Sequence, residues 1–239
     1  MSLKKRLIYL LSFSGLVLAS SFLLSFKIFI LPPLKERKLS YIENLKRKFE
    51  IALSIEERDV AILCQDWADW ESMTYYVENP SPVFERDAFP DEVFLDDQLD
   101  LILVLDPGMN IAFYKCYWQD KRFIDFEDLK ISDDIEWIAK TTMRRSKSIN
   151  SIINSNYEPV VVVSYPITAH KKSAPIPGVL VLGKFIDRRM IKRFSLYTME
   201  NMKIYPLDSK QMNAFYLNTM GGGISFTGKR WTNYTPFIY

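Results

Sequence analysis

Residues 99–118 read LDLILVLDPGMNIAFYKCYW, which is two apolar runs separated by a turn sequence. Leu99–Leu105 and Ile111–Trp118 have the length and composition of β-strands. Between them, Asp, Pro and Gly follow one another at 106–108, which is the chemistry of a tight β-turn. This stretch therefore predicts an antiparallel hairpin, and with it a fold that contains an antiparallel sheet.

A second pair of apolar runs lies further along the chain. PVVVVSYPITA at 159–169 and GVLVLGKFID at 178–187 flank the polar loop HKKSAPIP and predict another antiparallel pair. Helical patterns at 135–143 and 188–202 lie beside these strands, and 204–207 is a candidate further strand. Strands that arrive as hairpins, with helices packed on them, predict an α+β fold. NPSPVFERDAFPDE at 79–92 has three prolines and predicts a loop.

The N-terminus carries a long apolar run. Leu7–Phe26 is uncharged and the apolar character continues to Leu31, and about twenty such residues span a hydrocarbon core of about 30 Å. We therefore predict a retained transmembrane helix at 7–31. A cleaved signal peptide is the alternative, because VLASS at 17–21 offers small residues, but the run extends past that site. Cations lie on both sides of the run, so charge alone leaves the orientation open.

The run is followed by a segment with the pattern of an amphipathic helix. Pro32 and Pro33 are expected to end or interrupt the transmembrane helix. From there to Trp70 the sequence has no Gly or Pro, and apolar residues recur at spacings of three or four among Glu, Lys and Arg. The pattern predicts a stalk helix at 34–64. A homodimer through this helix is left open, because Glu56 and Asp59 break its apolar stripe.

Composition excludes several classes of function. The 31 Lys and Arg are balanced by 29 Asp and Glu, so the chain lacks the basic excess of a nucleic-acid-binding protein. One His and two Cys are too few for the usual zinc sites, and we expect neither a metal nor another cofactor. A disulfide between Cys64 and Cys116 is left open, because its geometry is not defined by the sequence.

The segment QDWADWESMTYYVEN at 65–79 concentrates aromatic and acidic residues. On a helix, Asp66 and Asp69 share one face, and so do Trp67 and Trp70. One interpretation is that the rings dock the helix end onto the sheet, with Asp66 accepting a hydrogen bond from an indole or a backbone amide. The other is that the rings wall a pocket in which a carboxylate helps to hold a small polar or cationic molecule.

At this point the residues carry a family resemblance. DWADW and TYYVEN, then LILVLDPGMNIAFYK, PVVVVSYPI and GVLVLGKFID, in that order, resemble the fourth type of CHASE sensory domain. Members of that family are extracellular sensors of bacterial and archaeal membrane receptors. The sequence departs from the family pattern in two respects: Glu71 and Ser72 stand where a pair of Asp is frequent, and Lys184 stands where Arg is common.

The resemblance implies a Cache/PAS-like sheet domain outside the cytoplasm, with the N-terminus inside. The implied organisation is cytoplasmic residues 1–6, a transmembrane helix at 7–31, a stalk helix at 34–64, a sensory domain at 45–205 and a C-terminal segment at 206–239, where truncation is left open. The candidate ligand-binding residues are Asp66, Trp67, Trp70, Tyr75, Tyr76, Tyr165, His170 and Lys184.

The predicted function is the ligand-binding input of a single-pass membrane receptor. Its partners would be an unidentified small molecule, the lipid bilayer and a signalling protein, with no nucleic acid. The main alternative is a tethered binding protein without signalling output. An extracytoplasmic hydrolase that uses Asp66 and Asp69 as its carboxylate pair is less favoured, because surface helices carry acids routinely. We therefore predict that the chain is not an enzyme.

Overall fold

The computed structural model of the protein describes residues 3–95, 99–118, 122–168, 175–199, 203–206, 214–219, 222–227 and 236–237. The chain divides into two units, Met1–Arg47 and Lys48–Tyr239. The first unit is helical, and the second contains the sheet predicted from the sequence.

The first unit holds helix α1, Leu3–Ser25, a π-helical turn, Phe26–Ile30, and the beginning of helix α2, Leu31–Ala68. Within the described residues, Tyr9–Leu34 is the one helical stretch long and apolar enough to cross a membrane. The prolines at 32 and 33 do not end the helical path. They lie in the first turn of α2, where a missing N–H costs little, and the π-helical turn just before them is the interruption.

In the second unit, helices pack around a central sheet. Besides the end of α2, the described helices are α3 (Glu71–Glu78), α4 (Pro82–Ala88), α5 (Glu92–Leu95), α6 (Phe126–Leu129), α7 (Ser132–Arg145) and α8 (Arg188–Thr198). The described strands are β1 (Leu101–Leu105), β2 (Ile111–Trp118), β3 (Arg122–Phe123), β4 (Ile149–Asn154), β5 (Pro159–Ile167), β6 (Gly178–Phe185), β7 (Lys203–Pro206), β8 (Ala214–Thr219), β9 (Gly222–Thr227) and β10 (Pro236–Phe237).

The described strands form two antiparallel sheets. The main sheet has six strands in the order β3-β2-β1-β6-β5-β4, and a smaller one has the order β10-β9-β8-β7. Both predicted hairpins are present, and β1 of the first pairs with β6 of the second, with Leu103 opposite Val181. The predicted α+β class with an antiparallel sheet is therefore confirmed.

The turn of the first hairpin is closed by Asp106. Its carboxylate accepts hydrogen bonds from the backbone N–H and the side-chain amide of Asn110, both at 2.8 Å. Met109 takes up the left-handed conformation with φ 68°, which lets the chain reverse within a few residues. The acid at the start of the turn therefore has the role that turn chemistry assigns to it.

Both faces of the main sheet are buried. Along β1, Ile102 and Val104 pack in the cluster beneath the end of α2 and α3, while Leu101, Leu103 and Leu105 pack in the cluster beneath α6 and α7. A strand alternates its side chains between two faces, so an all-apolar run such as LILVL requires cover on each side. This double burial explains why the central strands lack alternating polar residues.

The two cysteines lie in different clusters and are free. Cys64 packs in the cluster beneath α2, and its thiol lies 3.6 Å from the carbonyl oxygens of Val163 and Leu180. Cys116 pairs with Leu101 and packs on the α7 side of the sheet. The sheet therefore separates the two thiols, and the disulfide that the sequence left open is not formed.

Two elements differ from the sequence-based expectation. The proline-rich segment predicted as a loop contains α4, with Pro82 in the first turn, where proline is compatible with a helix. The strand β4 is not predicted by the polar sequence around it. It lies at an edge of the main sheet, where one side pairs with β5 and polar residues such as Asn150 are tolerated.

The apolar stripe of α2 is not broken at Glu56. Glu56 is itself buried, on the same helical face as Phe49, Ala52, Leu53, Val60 and Cys64. Asp59, in contrast, is exposed. The apparent gap in the stripe is thus a buried carboxylate with cationic partners, described below, and it does not mark a solvent-facing break.

Gly178 is required by the close approach of β6 to β1. A Cβ at this position would lie 2.4 Å from the backbone oxygen of Leu105. We expect Gly178→Ala to lower the free energy of unfolding by roughly 1–3 kcal/mol, because the backbones must separate to admit the methyl group. Urea unfolding of the solubilised chain, followed by circular dichroism, measures this change.

Gly108→Ala is the matched control for Gly178→Ala. In the hairpin turn, an added Cβ meets the ends of the Asn110 and Asp106 side chains, at 3.0 and 3.2 Å, and these can move. The expected loss is about 1 kcal/mol or less. Equal losses for the two variants would show that the backbone contact at Gly178 is not limiting.

Candidate ligand-binding site

The end of α2 is bonded to the end of β5. The carbonyl oxygen of Ala68 accepts the backbone N–H of Thr168 at 3.3 Å, and the Asp69 carboxylate accepts the Thr168 hydroxyl at 2.8 Å. The hydroxyl of Thr74, on α3, donates to the Thr168 carbonyl at 3.1 Å. Three hydrogen bonds therefore attach the corner between α2 and α3 to Thr168, the residue that directly follows β5.

Trp67 and Trp70 lie together at this corner but differ in exposure. Their ring centroids are 5.7 Å apart, and the Trp67 ring is 5.6 Å from Phe89 in the core. Trp67 is 7% exposed, whereas Trp70 is 38% exposed. Trp67 thus docks the helix onto the sheet, and Trp70 covers it while keeping part of its ring accessible to solvent.

The neighbouring tyrosines, Tyr75 and Tyr76, point in different directions. Tyr76 is buried, and its hydroxyl donates to the Glu85 carboxylate at 2.8 Å and lies 3.2 Å from the carbonyl oxygen of Ala112. Burial, together with the hydrogen bond to Glu85 and its charge, raises the pKa of Tyr76 well above its usual range. Tyr75 is 68% exposed. Tyr76 therefore belongs to the core, while Tyr75 faces solvent.

Tyr165 lies on β5 and packs, half-buried, against the same core cluster as Trp67. Burial and then the nearby charge of Asp69 raise the pKa of Tyr165, which keeps its hydroxyl protonated as a hydrogen-bond donor at neutral pH. Asp69, Trp70, Tyr165 and Thr168 combine partial exposure with polar groups at this end of the sheet. We refer to these four residues as the rim cluster.

Lys184 is not part of the rim cluster. It pairs with Val161 across the β5–β6 ladder, four residues along β5 from Tyr165, which corresponds to roughly 13 Å. Its ammonium group bonds the Glu56 carboxylate at 3.0 Å. The same carboxylate accepts two hydrogen bonds from the Arg193 guanidinium, at 2.7 and 3.2 Å. Lys184 thus joins the sheet to α2, and Glu56 in turn joins α2 to Arg193 of α8.

The remaining candidates are Asp66 and His170. Asp66 is exposed on α2, and the acid that bonds β5 at this corner is Asp69, which accepts the Thr168 hydroxyl. His170 lies outside the described residues.

At the other end of the main sheet, acids and arginines join β1 to α8. Asp100 is 5% exposed and accepts the Phe185 backbone N–H at 2.8 Å and the Arg189 guanidinium at 2.9 Å. Asp187 caps α8 by accepting the N–H groups of Arg189 and Met190. No group of three or more His, Cys, Asp or Glu residues with the arrangement of a metal site occurs in the part of the chain that is described.

Comparison with known proteins identifies the family. The model of the CHASE4 domain matches residues 52–205, which is well over half of the chain. The chain belongs to the CHASE4 family. Comparison with curated protein sequences gives no significant match.

Three solved structures are similar in fold to this CHASE4 domain. The extracellular domain of vpHK1S-Z8 has 11% identity and a TM-score of 0.49, with 75% of this chain and 69% of that chain covered. The periplasmic domain of Vibrio cholerae LuxQ has 12% identity and a TM-score of 0.42, covering 71% and 75%. The ligand-binding domain of the Campylobacter jejuni chemoreceptor Tlp3, solved with L-valine, has 10% identity and a TM-score of 0.40, covering 81% and 88%.

All three TM-scores lie below 0.5, so the family assignment depends on the match over residues 52–205. The resemblance drawn from the sequence motifs is confirmed by that match. The CHASE4 family is sensory and not catalytic, which points to a non-enzyme. The apolar N-terminal helix is consistent with membrane anchoring.

Several polar residues of the CHASE4 domain were not among the sequence-based candidates. The missed residues are Glu56 and Thr168 together with Asp100, Arg189 and Arg193, and Asp69 was considered only as part of a hydrolase carboxylate pair. Glu56 had a detectable signal, because it occupies an apolar-stripe position of α2. The cap that Asp187 forms with Arg189 also had a signal in the sequence, since an acid at the start of a helix predicts a cap. The partners of Asp100 and Thr168 are 85 or more residues away in the sequence, so local pattern could not identify them.

Proposed function

We propose that this CHASE4 domain is the ligand-binding input of a membrane-anchored receptor, held outside the cytoplasm by the apolar helix near the N-terminus. The observation that carries the proposal is the rim cluster. An accessible Trp70 ring lies against the buried ring of Trp67, and the preceding residue, Asp69, bonds Thr168 through its carboxylate. Small-molecule sites combine apolar walls with a few fixed polar groups in this way.

The chemistry of the rim cluster favours a small polar or cationic ligand. An aromatic face attracts a cation, and a nearby carboxylate adds a charged hydrogen-bond acceptor. The Tyr165 and Thr168 hydroxyls supply further polar contacts. We therefore expect an amine-bearing molecule to occupy this surface in preference to an anion.

Transmission of the signal is proposed to follow α2. The helix contributes Trp67 and Ala68 beside the rim cluster, and about three turns earlier its Glu56 bonds the sheet and α8. We expect a ligand at the rim cluster to bind more tightly in one position of α2 than in another. Such unequal affinity shifts the equilibrium between the two positions. A homodimer through the stalk helix remains a prediction, with Ile51 and Ile62 of α2 exposed.

A thermal-shift screen of the full chain in detergent or nanodiscs tests ligand binding. The panel would contain amino acids, polyamines and quaternary amines, with dicarboxylates as anionic comparators. A ligand at a hundred times its Kd stabilises a protein by about 2.7 kcal/mol, which corresponds to roughly 5–10 °C in Tm for a chain of this size. We expect such a shift from at least one cationic compound.

Trp70→Ala is expected to abolish that shift. Tyr165→Phe is expected to weaken the affinity for the compound roughly tenfold, which is about the contribution of one hydrogen bond. Ile62→Ala, which truncates an exposed apolar residue of α2, is the control and should bind normally. A shift that persists in Trp70→Ala would place the ligand elsewhere. Absence of any shift across the panel would remove the support for a site of this chemistry.

A tethered binding protein without signalling output is the alternative. Hydrogen exchange of residues 48–64, measured with and without the stabilising compound, separates the two functions. An input module is expected to change protection in this segment, which lies away from the rim cluster. Unchanged protection despite saturated binding would favour the tethered binding protein.

A further inference from the structure

The start of α8 depends on the position of one carboxylate. Asp187 accepts the backbone N–H groups of Arg189 and Met190, both at 2.9 Å, and its other oxygen accepts the Arg189 Nε–H group. A side-chain cap of this kind satisfies helix donors that would otherwise have no partner. Movement of Asp187 would therefore loosen the first turn of α8.

Two further carboxyl groups lie beside Asp187. Arg189 bridges to Asp100, whose second oxygen binds the Phe185 N–H at the end of β6. Glu158 faces Asp187 because the β5–β6 ladder continues past its last pair: Val160 is opposite Phe185, and Ile186 donates to the Pro159 carbonyl at 2.7 Å. The next residues in this antiparallel register are Glu158 and Asp187. We refer to Asp100, Glu158, Asp187 and Arg189 as the α8 junction.

The α8 junction contains more acids than cations. Asp100 is affected by the charges of Arg189 and Asp187, and Glu158 by those of Asp187, Arg188, Asp100 and Arg189. On α8, Arg193 faces Asp187 as well as Glu56. Arg188 is exposed and Arg193 is bonded to Glu56. Arg189 is thus a charge partner that all three carboxyl groups share.

Burial shifts two of these acids toward the protonated form. Burial raises the pKa of Asp100 from 3.8 to about 6, although the Phe185 amide and Arg189 oppose the change. Burial and then the charge of Asp187 raise the pKa of Glu158 from 4.5 to about 7. Both acids are thus partly protonated between about pH 6 and about pH 7.

We propose that the α8 junction is a proton-operated latch: protons held by Asp100 and Glu158 keep α8 fastened to the sheet at mildly acidic pH, and their loss near neutral pH loosens it. Loss of the protons leaves three carboxylates around one guanidinium, and the repulsion acts on the acid that caps α8. This latch is independent of a ligand at the rim cluster, so it stands even if that cluster binds nothing.

The sign of the pH effect follows from proton uptake. The fastened state has raised carboxyl pKa values, so it binds more protons than a state in which α8 is open and the acids are solvated. The fastened state is therefore favoured below the raised values and loses that advantage as pH rises through them. The window runs from about 4, the ordinary value of a carboxyl, to about 7.

Hydrogen exchange of the full chain in nanodiscs tests the latch. Peptides that cover 185–194 would be compared at about pH 5.5 and about pH 7.5, with correction for the intrinsic exchange rate. We expect exchange of the first turn of α8 to be roughly tenfold or more faster at the higher pH. Peptides from α7 should show no such change, because the hydrogen-bond and charge partners given above for Asp100 and Glu158 are not α7 residues.

The variants Asp100→Asn and Glu158→Gln, made singly and together, test the role of the protons. Each replaces a titratable carboxyl group with an amide that is neutral at every pH. The double variant is expected to keep α8 protected at both pH values, and Asp66→Asn, which removes an exposed acid of α2, should behave like the wild type. Glu158→Gln alone tests the latch if Asp100→Asn does not fold, and half or more of the pH effect should then disappear. A wild-type α8 with pH-independent protection, or a folded Glu158→Gln with the full wild-type effect, would overturn the proposal.

Discussion

Replacing Glu56 with leucine is expected to lower the free energy of unfolding by about 3–5 kcal/mol. The Glu56 side chain is 5% exposed, and its partners Lys184 and Arg193 have side chains that are 13% and 27% exposed. Without the carboxylate, two cations remain in a mostly buried environment with their main acceptor removed. The cost arises from their desolvation more than from the lost attraction itself.

Asp59→Leu is the matched control for Glu56→Leu. Both acids lie on α2 and interrupt its apolar pattern in the same way, but Asp59 is exposed, so its replacement should change stability by about 0.5 kcal/mol or less. Urea unfolding of the solubilised chain, monitored by circular dichroism, measures both. Similar losses for the two variants would contradict a buried ionic role for Glu56.

A triple variant separates the two sources of the effect. Glu56→Leu combined with Lys184→Met and Arg193→Met removes the unpaired cations, and most of the lost stability should return, since apolar replacement of a buried ion group is often neutral. If the triple variant stays as unstable as Glu56→Leu alone, the carboxylate contributes through packing and not through charge.

The stability that Glu56 contributes is expected to disappear in acid. Burial alone would raise its pKa, but the hydrogen bond from Arg193 and the charge and hydrogen bond of Lys184 outweigh burial and lower it below 4.5. The folded state therefore holds the ionised form, and its contribution is present above that value and is lost as pH falls through the lowered one. This dependence is opposite in sign to that of the α8 junction, so the two are distinguishable in one pH series.

Replacing Phe89 with alanine is expected to lower the free energy of unfolding by about 3–5 kcal/mol. Phe89 is 1% exposed. Its ring lies 4.5 Å from Phe113 and 5.6 Å from Trp67, measured between ring centroids, with Tyr76 and Phe84 also in contact range. The loss combines the transfer of the ring with a cavity that rigid neighbouring rings cannot fill.

The same replacement should release Trp67 from its packed environment. We expect the near-UV circular dichroism of the tryptophans to weaken in Phe89→Ala, because an asymmetric packed environment produces that signal. Phe123→Ala is the control: this ring is 50% exposed and should cost about 1 kcal/mol or less. A small loss for Phe89→Ala, comparable with that of Phe123→Ala, would show that Phe89 does not join α3 and α4 to the sheet.

The local elements of the central hairpins followed from their sequences. LILVL and VVVV are apolar runs of strand length, and Asp106 starts a turn whose residues permit few other conformations. These features depend on covalent geometry and on side chains within a few positions of one another. In contrast, β4 depends on β5 for its pairing, and α4 begins at a proline that sequence patterns treat as a breaker.

The candidate site was only partly predictable for the same reason. Trp67 and Trp70 were identified because rings at helical spacing share a face. Asp66 and Asp69 share that spacing too, and only the position of Thr168 after β5 decides which acid makes the bond. Lys184 was assigned to the ligand surface, yet the register of β6 places it beside Glu56, away from Tyr165.

The sequence by itself determined the apolar helix near the N-terminus, the antiparallel hairpins, the aromatic corner after α2 and membership of the CHASE4 family. These depend on composition, periodicity and turn chemistry, which act over short distances along the chain. Tertiary structure alone decided that Glu56 is buried against Lys184 and Arg193, that Asp69 holds Thr168, and that Asp100, Glu158 and Asp187 meet at one junction. Each of these contacts joins residues that are far apart in sequence, so their energies are set by burial and by charge partners that only the folded chain brings together.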